Sequence, residues 1–470
     1  MKIEQFYTGC LAEAAYYIES NGEAAIIDPL RETAQYIERA KKDDASIKYI
    51  FETHFHADFV SGHVDLANKT GAKIVYGPSA TAEFDFIEAQ DNQEFKVGDI
   101  TIKVLHTPGH TQESSTFLLI DEKGENHAIF TGDTLFLGDV GRPDLAVKSN
   151  LTREDLASML FDSLRNRIMP LEDNLIVYPG HGAGSACGKN MSSETVGKLG
   201  EQKKTNYALR ADMTREEFVE ELLHGILPPP QYFPKNAMLN KSELTGIESI
   251  LEKGNVALDV DTFESIANHE GAVVLDVRSK DEFAKGHIPN AIFIGLDGSF
   301  APWVGALITD MQQPIILVIP EGKEAETITR LSRVGYDNTM GYLNGGIEAW
   351  KNAEKEIETV ETVNSSTLAE LYKENSKIDI LDVRKVGEHQ SEHVIDAENV
   401  PLDYINEQIN KIQKDKKYYI HCKSGYRSMV AASILKSRNY HNVVNVDGGF
   451  DDILKEDSIA KSAYICPSKL

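Results

Sequence analysis

Four separated segments of the sequence place histidine and aspartate side chains where they could bind a metal ion. The first, THFHADF at residues 53–59, alternates two histidines with an aspartate, and alternate residues of an extended chain project to one side. HTPGH, TGD and YPGHG follow further along, each after an apolar run. Loops at strand ends commonly carry catalytic residues. We therefore predict a metal site, with candidate residues His54, His56, Asp58, His110, Asp133 and His181.

A second centre of reactivity is predicted at Cys422, in YYIHCKSGYRS. An apolar strand ends at this cysteine, a short loop follows, and an apolar helix begins. Backbone N–H groups of such a loop and the start of the helix would stabilise a thiolate or persulfide anion. The predicted persulfide loop consists of Lys423, Ser424, Gly425, Tyr426 and Arg427.

Composition limits what these residues could act on. The 470 residues carry 48 Lys plus Arg against 74 Asp plus Glu, a net charge of −26, which disfavours nucleic acid and anionic membranes as partners. No apolar run approaches the roughly 18 residues that span a bilayer. The first ten residues lack the apolar core of a signal peptide. Four distant cysteines exclude a disulfide scaffold, so we expect a cytoplasmic protein.

An internal repeat organises the second half of the chain. The segment GAVVLDVRSKDEFAKGHIPNAIFI near residue 271 matches KIDILDVRKVGEHQSEHVIDAENVP near residue 377. We predict three domains, at residues 1–240, 257–357 and 360–470. The first should contain sheets covered by helices, and the other two should each be an α/β domain with short, buried, parallel strands.

The motifs THFHAD, HTPGH, TGD and YPGHG, in this order, resemble the metallo-β-lactamase superfamily. The resemblance covers residues 1–240 and implies an αββα sandwich. In members with two metals, a histidine follows the aspartate of the first motif, whereas Phe59 stands there in this chain. One metal per chain is therefore expected.

The runs TLFLGDVGRPDL and YPGHGAGSACGKN are similar to persulfide dioxygenases of this superfamily. That resemblance implies one Fe(II), held by two imidazoles and a carboxylate as in other non-heme oxygenases. The implied ligands are His54, His110 and Asp133, and the implied neighbours that orient ligands or water are His56, Asp58 and His181. Arg142 would meet anionic groups of the substrate. Whether His56 is a fourth ligand stays open, as does the role of Cys187.

Residues 360–460 resemble a rhodanese, with LDVR, GYRS and a final DGGF. The resemblance implies a covalent persulfide on Cys422, with Arg427 beside it. Residues 257–357 resemble a rhodanese without this cysteine, because no cysteine lies between residues 188 and 421. We expect that domain to be inactive. Cys466 is expected to be incidental.

Together the resemblances imply oxidation of the terminal sulfur of a low-molecular-weight thiol persulfide by O2, giving sulfite and thiol. Sulfur transfer at Cys422 would involve thiosulfate, in either direction. The expected partners are these small molecules, without nucleic acid or membrane, in a homo-oligomer of undetermined order. The alternatives are a zinc thiolester hydrolase of the glyoxalase II type and a non-enzymatic sulfur carrier.

Overall fold

The computed structural model describes residues 1–145, 151–375 and 377–466, and the chain divides into two compact units. The first comprises Met1–Ser249 together with Ser332–Gly335, and the second comprises Ile250–Leu331 and Tyr336–Leu470. Both predicted rhodanese-like domains fall in the second unit, apart from Ser332–Gly335. The three-domain boundaries at residues 240, 257 and 360 therefore remain a prediction.

The first unit contains two six-stranded sheets, each with its strands in chain order. In the first sheet, β1–β3 pair antiparallel and β3–β6 pair parallel. Its strands are β1 (Lys2–Thr8), β2 (Glu13–Ser20), β3 (Glu23–Ile27), β4 (Ser46–Phe51), β5 (Lys73–Tyr76) and β6 (Ile87–Glu88). The strands of the second sheet are β7 (Glu94–Val97), β8 (Ile100–His106), β9 (Ser115–Ile120), β10 (Asn126–Gly132), β11 (Ile176–Pro179) and β12 (Gly197–Lys198).

Helices cover the outer faces of both sheets. Two of them begin with the capping boxes visible in the sequence, Thr152 with Asp155 and Thr214 with Glu217. The helices of this part of the chain are α1 (Ala34–Lys42), α2 (His63–Thr70), α3 (Arg153–Ser163), α4 (Leu199–Thr205), α5 (Arg215–Leu223), α6 (Phe233–Leu239) and α7 (Ile247–Gly254). The residues of α7 are divided between the two units.

Three buried apolar clusters hold these layers together. One lies between the two sheets and includes Phe51, Phe95 and Phe117. The other two pack the outer face of each sheet against its helices, with Tyr36 in one cluster and Phe218 in the other. Burying apolar surface on both faces of each sheet gives four layers. The predicted αββα sandwich is confirmed.

Parallel pairing brings the candidate loops to the same sheet edges. β3 runs parallel to β4, and β10 runs parallel to β11. Asp28 and Glu52 thus leave neighbouring strand ends in one sheet, and Asp133 and His181 follow neighbouring strand ends in the other. The tight β2–β3 turn is also as predicted, since Asn21 and Gly22 both have positive φ, at 49° and 80°.

The second unit contains two five-stranded parallel sheets of the same strand order. Their orders are β13-β17-β16-β14-β15 and β18-β22-β21-β19-β20, as expected for two copies of one fold. The strands are β13 (Ala257–Leu258), β14 (Val273–Asp276), β15 (Ile292–Phe293), β16 (Ile315–Val318), β17 (Thr339–Leu343), β18 (Glu361–Val363), β19 (Asp379–Asp382), β20 (Glu398–Asn399), β21 (Tyr418–His421) and β22 (Val443–Val446).

Helices flank these two sheets, and short 3-10 turns join some of them. They are α8 (Val260–His269), α9 (Lys280–Lys285), α10 (Phe300–Leu307), α11 (Glu324–Ser332), α12 (Gly346–Asn352), α13 (Ser365–Glu374), α14 (Val386–Ser391), α15 (Ile405–Gln408), α16 (Tyr426–Ser437) and α17 (Gly449–Ile453). Within the described part of the chain, no helix has the length and apolar character needed to cross a membrane.

Candidate metal centre and cysteine loop

The loop after β4 is completely buried and is fixed by Asp28, at the end of β3. The Thr53 N–H donates to Oδ1 of Asp28 at 2.7 Å, and the Thr53 hydroxyl donates to Oδ2 at 2.8 Å. A buried carboxylate that accepts several hydrogen bonds fixes the backbone around it. This loop therefore presents the histidines of THFHADF in one defined arrangement.

The structure brings His54, His110 and Asp133 together. One ligand atom from each lies within 4.8 Å of the others, and all three residues are buried. The Nε2 atom of His110 is 3.4 Å from Oδ2 of Asp133, and that of His54 is 4.0 Å from the same oxygen. The three segments that carry these residues are far apart in sequence, so the fold itself assembles the cluster.

Hydrogen bonds on the opposite ring nitrogens define the tautomers of the two imidazoles. Nδ1 of His110 lies 2.8 Å from the carbonyl oxygen of Arg142, which can only accept. Nδ1 of His54 lies 3.0 Å from the Thr53 hydroxyl, whose proton is already donated to Asp28. Both Nδ1 atoms therefore carry the proton, and both Nε2 atoms offer lone pairs. Burial also lowers the pKa of His54, which keeps this imidazole neutral.

Asp133 completes a set of donors that fits one metal ion. Its Oδ2 is buried and has no hydrogen-bond partner among the residues that the structure describes. A buried carboxylate oxygen without a partner is costly, and a cation held jointly with two imidazoles would satisfy it. Two neutral imidazoles and a carboxylate suit either iron or zinc.

His181 lies between two carboxylates. Its Nδ1 is 2.8 Å from Oδ1 of Asp133, and its Nε2 is 2.8 Å from Oδ2 of Asp58. Burial opposes protonation, but these two carboxylates hold the pKa of His181 well above its ordinary value. With both ring nitrogens in contact with carboxylates, His181 is placed to orient Asp133.

His56 also faces carboxylates. Its Nε2 is 3.1 Å from Oδ1 of Asp28 and 3.2 Å from Oε2 of Glu52. Burial favours the neutral ring, yet the Asp28 and Glu52 carboxylates hold the pKa of His56 well above its usual value. The ring of Phe59 is fully buried, and its centroid lies 4.3 Å from that of His56. Phe59 therefore occupies space beside His56 without offering a ligand atom.

A second group of possible ligands lies next to the first. One ligand atom each of Asp58, His181 and Cys187 lies within 4.8 Å of the others. Both nitrogens of His181 are already engaged, so a metal here would have to displace an ion pair. Cys187 is buried, and burial raises the pKa of its thiol. A single metal per chain stays a prediction.

Arg142 braces the loops around the site. Its guanidinium donates twice to Asp144, at 2.7 Å each, and once to the carbonyl of Ala186 at 3.3 Å. Its own carbonyl orients His110, a contribution that the sequence did not reveal. The guanidinium is thus occupied by protein groups, and its contact with substrate stays a prediction.

Glu13 was missed by the sequence analysis. It begins β2, is 1% exposed, and neither carboxylate oxygen has a hydrogen-bond partner within the described ranges. Burial raises its pKa well above the usual value, and the charges of His181 and His56 oppose this shift without cancelling it. A charged residue inside the apolar run LAEAAYYI was the available sign of this position.

In the second unit, β21 leads into Cys422 and α16 begins four residues later. The N–H of Gly425 donates to the Cys422 sulfur at 3.1 Å, and the Ser428 hydroxyl lies 3.7 Å from it. Gly425 has φ of +97°, a conformation that glycine adopts without strain. The buried sulfur therefore faces the Gly425 N–H, at the residue that precedes a twelve-residue helix, and further N–H contacts from the loop stay a prediction.

The charged residues of this loop differ in their environments. Arg427 donates to both oxygens of Glu388, at 2.6 and 2.8 Å. Lys423 and Ser424 are exposed to solvent. The Tyr426 hydroxyl donates to the carbonyl of Gly295 at 2.8 Å. The pairing with Glu388 was not predicted and neutralises the cation expected beside the cysteine.

The first repeat keeps the framework of the second but not its cysteine loop. The LDVR motifs form equivalent ion pairs in both, Asp276 with Arg278 and Asp382 with Arg384, each at 2.6 Å. Between β16 and α11, however, the chain reads IPEGK. In the other repeat, Cys466 is exposed near the end of the described chain.

Comparison with known proteins agrees with this architecture. Residues 8–181 match the metallo-beta-lactamase superfamily, and residues 259–353 and 366–456 match the rhodanese-like domain. A metallo-beta-lactamase structure from Staphylococcus aureus subsp. aureus COL is 31% identical, with a TM-score of 0.64, covering 73% of this chain and 98% of that one.

Relatives of two kinds match the first unit. A cytoplasmic hydroxyacylglutathione hydrolase of Arabidopsis thaliana is 34% identical over 38% of this chain and 67% of its own length. The mitochondrial persulfide dioxygenase ETHE1 of Bos taurus is 29% identical over 44% of this chain and 74% of its own. The match spans only about 60% of some other hydroxyacylglutathione hydrolases. The chain belongs to the metallo-beta-lactamase superfamily and carries two rhodanese-like domains.

Proposed function

We propose that this protein oxidises the terminal sulfur of a low-molecular-weight thiol persulfide with O2 at a single Fe(II), giving sulfite and the thiol. The observation that carries the proposal is the donor set of the first unit. His54 and His110 direct lone pairs towards the unpartnered oxygen of Asp133, while His56 and His181 are held by carboxylates. One metal with open positions suits oxygenase chemistry.

In this proposal Fe(II) supplies redox chemistry and a template for the two substrates. The protein fixes the donors: Thr53 and the Arg142 carbonyl hold the two imidazoles, and His181 holds Asp133. Burial of all three proposed ligands excludes bulk water from them. We propose that Arg142 contacts the substrate by replacing its hydrogen bonds to Asp144 with hydrogen bonds to an anionic group of the substrate.

Cys422 is proposed to carry out sulfur transfer. Its thiolate attacks the outer sulfur of thiosulfate or of a thiol persulfide, the old S–S bond breaks, and sulfite or thiolate leaves. The Gly425 N–H and the start of α16 stabilise the resulting persulfide anion. In the reverse direction, sulfite takes this sulfur and forms thiosulfate.

An oxygen electrode provides the test. Protein reconstituted anaerobically with Fe(II) should consume O2 when a thiol persulfide is added, and sulfite should form in proportion. The zinc-loaded protein is the matched control and should consume none. Absence of O2 uptake by fully iron-loaded protein would refute the proposal.

A zinc-dependent thiolester hydrolase is the second candidate. It is favoured by the 34% identity to a hydroxyacylglutathione hydrolase and by the neighbouring group of Asp58, His181 and Cys187. The two candidates differ in metal and in substrate. Hydrolysis of an S-acyl thiol by zinc-loaded protein, without O2 uptake by the iron form, would select the hydrolase.

We propose that this protein acts in the cytoplasm as a homo-oligomer, with small molecules as its substrates. We propose three domains, at residues 1–240, 257–357 and 360–470. The oxidation takes place in the first domain and the sulfur transfer in the third.

A further inference from the structure

Both rhodanese-like repeats border the cavity next to Cys422. The cavity has a volume of about 400 Å³, within the range of small-molecule sites. The first repeat contributes Asp297, Gly298 and Trp303, and the second contributes Cys422, Tyr426 and Arg427. A small inorganic dianion such as thiosulfate would fill only part of this space. The cavity can therefore hold the organic body of a thiol as well as its sulfur.

Contacts within the second unit fix the position of the first repeat at this cavity. The Tyr426 hydroxyl donates to the Gly295 carbonyl at 2.8 Å, and Phe293 N–H donates to the Ser433 hydroxyl at 3.0 Å. A Cβ atom on Gly298 would lie 2.5 Å from Cζ of Tyr426, so only glycine permits this approach. The side of the cavity from the first repeat is thus a built part of the site.

The cation expected in the cavity is already neutralised. Arg427 donates to both oxygens of Glu388, at 2.6 and 2.8 Å. A guanidinium bound in this way attracts an incoming anion much less than a free one does. Lys423 is exposed and lies outside the set of residues that line the cavity.

The first repeat adds a negative charge and an aromatic ring. Asp297 is exposed at the cavity, and Arg330 braces its turn by donating to the carbonyls of Leu296 and Gly298, at 2.9 and 3.4 Å. Trp303, in α10, is half-buried and also borders the cavity. A carboxylate and an indole ring that border the same cavity can together bind an ammonium group.

Asp297 and Trp303 together form a surface that we call the Asp297–Trp303 face. We infer that this face selects a sulfur donor or acceptor that carries an ammonium group. This inference rests on the proposed sulfur transfer at Cys422. A thiolate of such a carrier attacks the outer sulfur of the Cys422 persulfide, the S–S bond to Cys422 breaks, and Cys422 leaves as a thiolate. The reverse step charges Cys422 from the carrier persulfide. The cysteine-free repeat therefore determines which carrier is used.

Binding of two unreactive probes to the full chain tests the face without requiring sulfur transfer. 2-(Methylthio)ethylamine carries the ammonium group, and 2-(methylthio)ethanol has a hydroxyl in its place. Trp303 is one of only two tryptophans in the chain, so tryptophan fluorescence should report binding. The amine should bind more tightly than the alcohol. Asp297→Asn should weaken amine binding about three- to fivefold, as expected for loss of an exposed ion pair.

Glu270→Gln is the matched control, because it makes the same change at an exposed position of the first repeat outside the cavity. It should leave the preference for the amine unchanged. Trp303→Leu keeps an apolar side chain but should reduce the preference, measured by calorimetry beside the wild type because this variant lacks the reporting indole. Equal binding of amine and alcohol to the wild type, or an unchanged preference in Asp297→Asn, would overturn the inference.

A separate measurement decides the underlying function. Mass spectrometry of Cys422 after treatment with a thiol persulfide should show one added sulfur atom. Failure of this addition, with selective amine binding intact, would refute sulfur transfer and leave an ammonium-binding site. Addition of sulfur without amine selectivity would refute the Asp297–Trp303 face and leave the transferase.

Discussion

The Nδ1 atom of His181 lies 2.8 Å from Oδ1 of Asp133. This contact uses one oxygen of the carboxylate and leaves Oδ2 without a hydrogen bond, near the Nε2 atoms of His54 and His110. The sequence motifs alone did not distinguish a ligand from a residue that orients a ligand. The hydrogen bonds of His181 favour an orienting role, and this assignment has measurable consequences.

Loss of a proposed ligand and loss of His181 should differ in their effect on iron. His110→Ala should abolish stoichiometric iron binding, since it removes one of the three proposed donors. His181→Gln should retain iron and reduce its affinity about 10- to 100-fold, as for other residues that orient ligands. Anaerobic titration with metal analysis measures both. Equal loss in the two variants would identify His181 as a ligand.

Replacing Phe59 by histidine should increase the metal capacity. Phe59 is fully buried beside His56, where the resemblance predicts a histidine in proteins with two metals. Zinc-loaded wild type should contain about one metal per chain, and Phe59→His should approach about two. Phe59→Leu, which adds no donor, is the control. Two zinc ions in the wild type would show that Phe59 does not limit the site to one.

Cys422→Ser should separate the two proposed activities. The serine variant lacks the nucleophile, so sulfur transfer should fall by about a thousandfold or more. O2 consumption should persist, because none of the proposed metal ligands lies in the second unit. Cys466→Ser, at an exposed cysteine, should affect neither activity. Parallel loss of both activities in Cys422→Ser would contradict the assignment of the two steps to separate sites.

Acid should destabilise the first repeat through His287. This histidine is 1% exposed, and burial lowers its pKa to about 4, whereas the unfolded residue titrates near 6.5. Between these pH values the unfolded state binds more protons, so the free energy of unfolding falls as pH falls through the window. At the lower pH of this window, the resulting decrease in the free energy of unfolding should reach about 3 kcal/mol.

Urea unfolding at pH 6.5 and 4.5, followed by tryptophan fluorescence, tests this dependence. Both tryptophans, Trp303 and Trp350, belong to the first repeat. His287→Gln should lose less stability than the wild type between the two pH values. His269→Gln, at an exposed histidine, should behave like the wild type. Identical pH dependence in His287→Gln and the wild type would assign the acid sensitivity to other groups.

Features that depend on local patterning were predictable from the sequence. The Asn21–Gly22 turn and the capping boxes at Thr152 and Thr214 are dictated by residues a few positions apart. The grouping of His54, His110 and Asp133 was also accessible, because each follows a strand and the motif order is distinctive. These predictions required no knowledge of how distant side chains pack.

Partners from distant segments were not predictable in the same way. Glu388 pairs with Arg427 across 39 positions, and Asp28 holds Thr53 across 25. Glu388 lies in the internal repeat and Asp28 in no motif, and neither position reveals its partner because acidic residues are abundant in this chain. Arg142 shows the same limit, since its type indicated anion binding, whereas the packed loop supplies it with Asp144 and two carbonyl contacts.

The close approach of Gly298 to Tyr426 separates a fixed position of this turn from a replaceable one. A side chain at Gly298 would collide with the Tyr426 ring, whereas Asp297 beside it is exposed. A substitution at Asp297 would therefore change the charge at the cavity and leave the backbone around Cys422 in place.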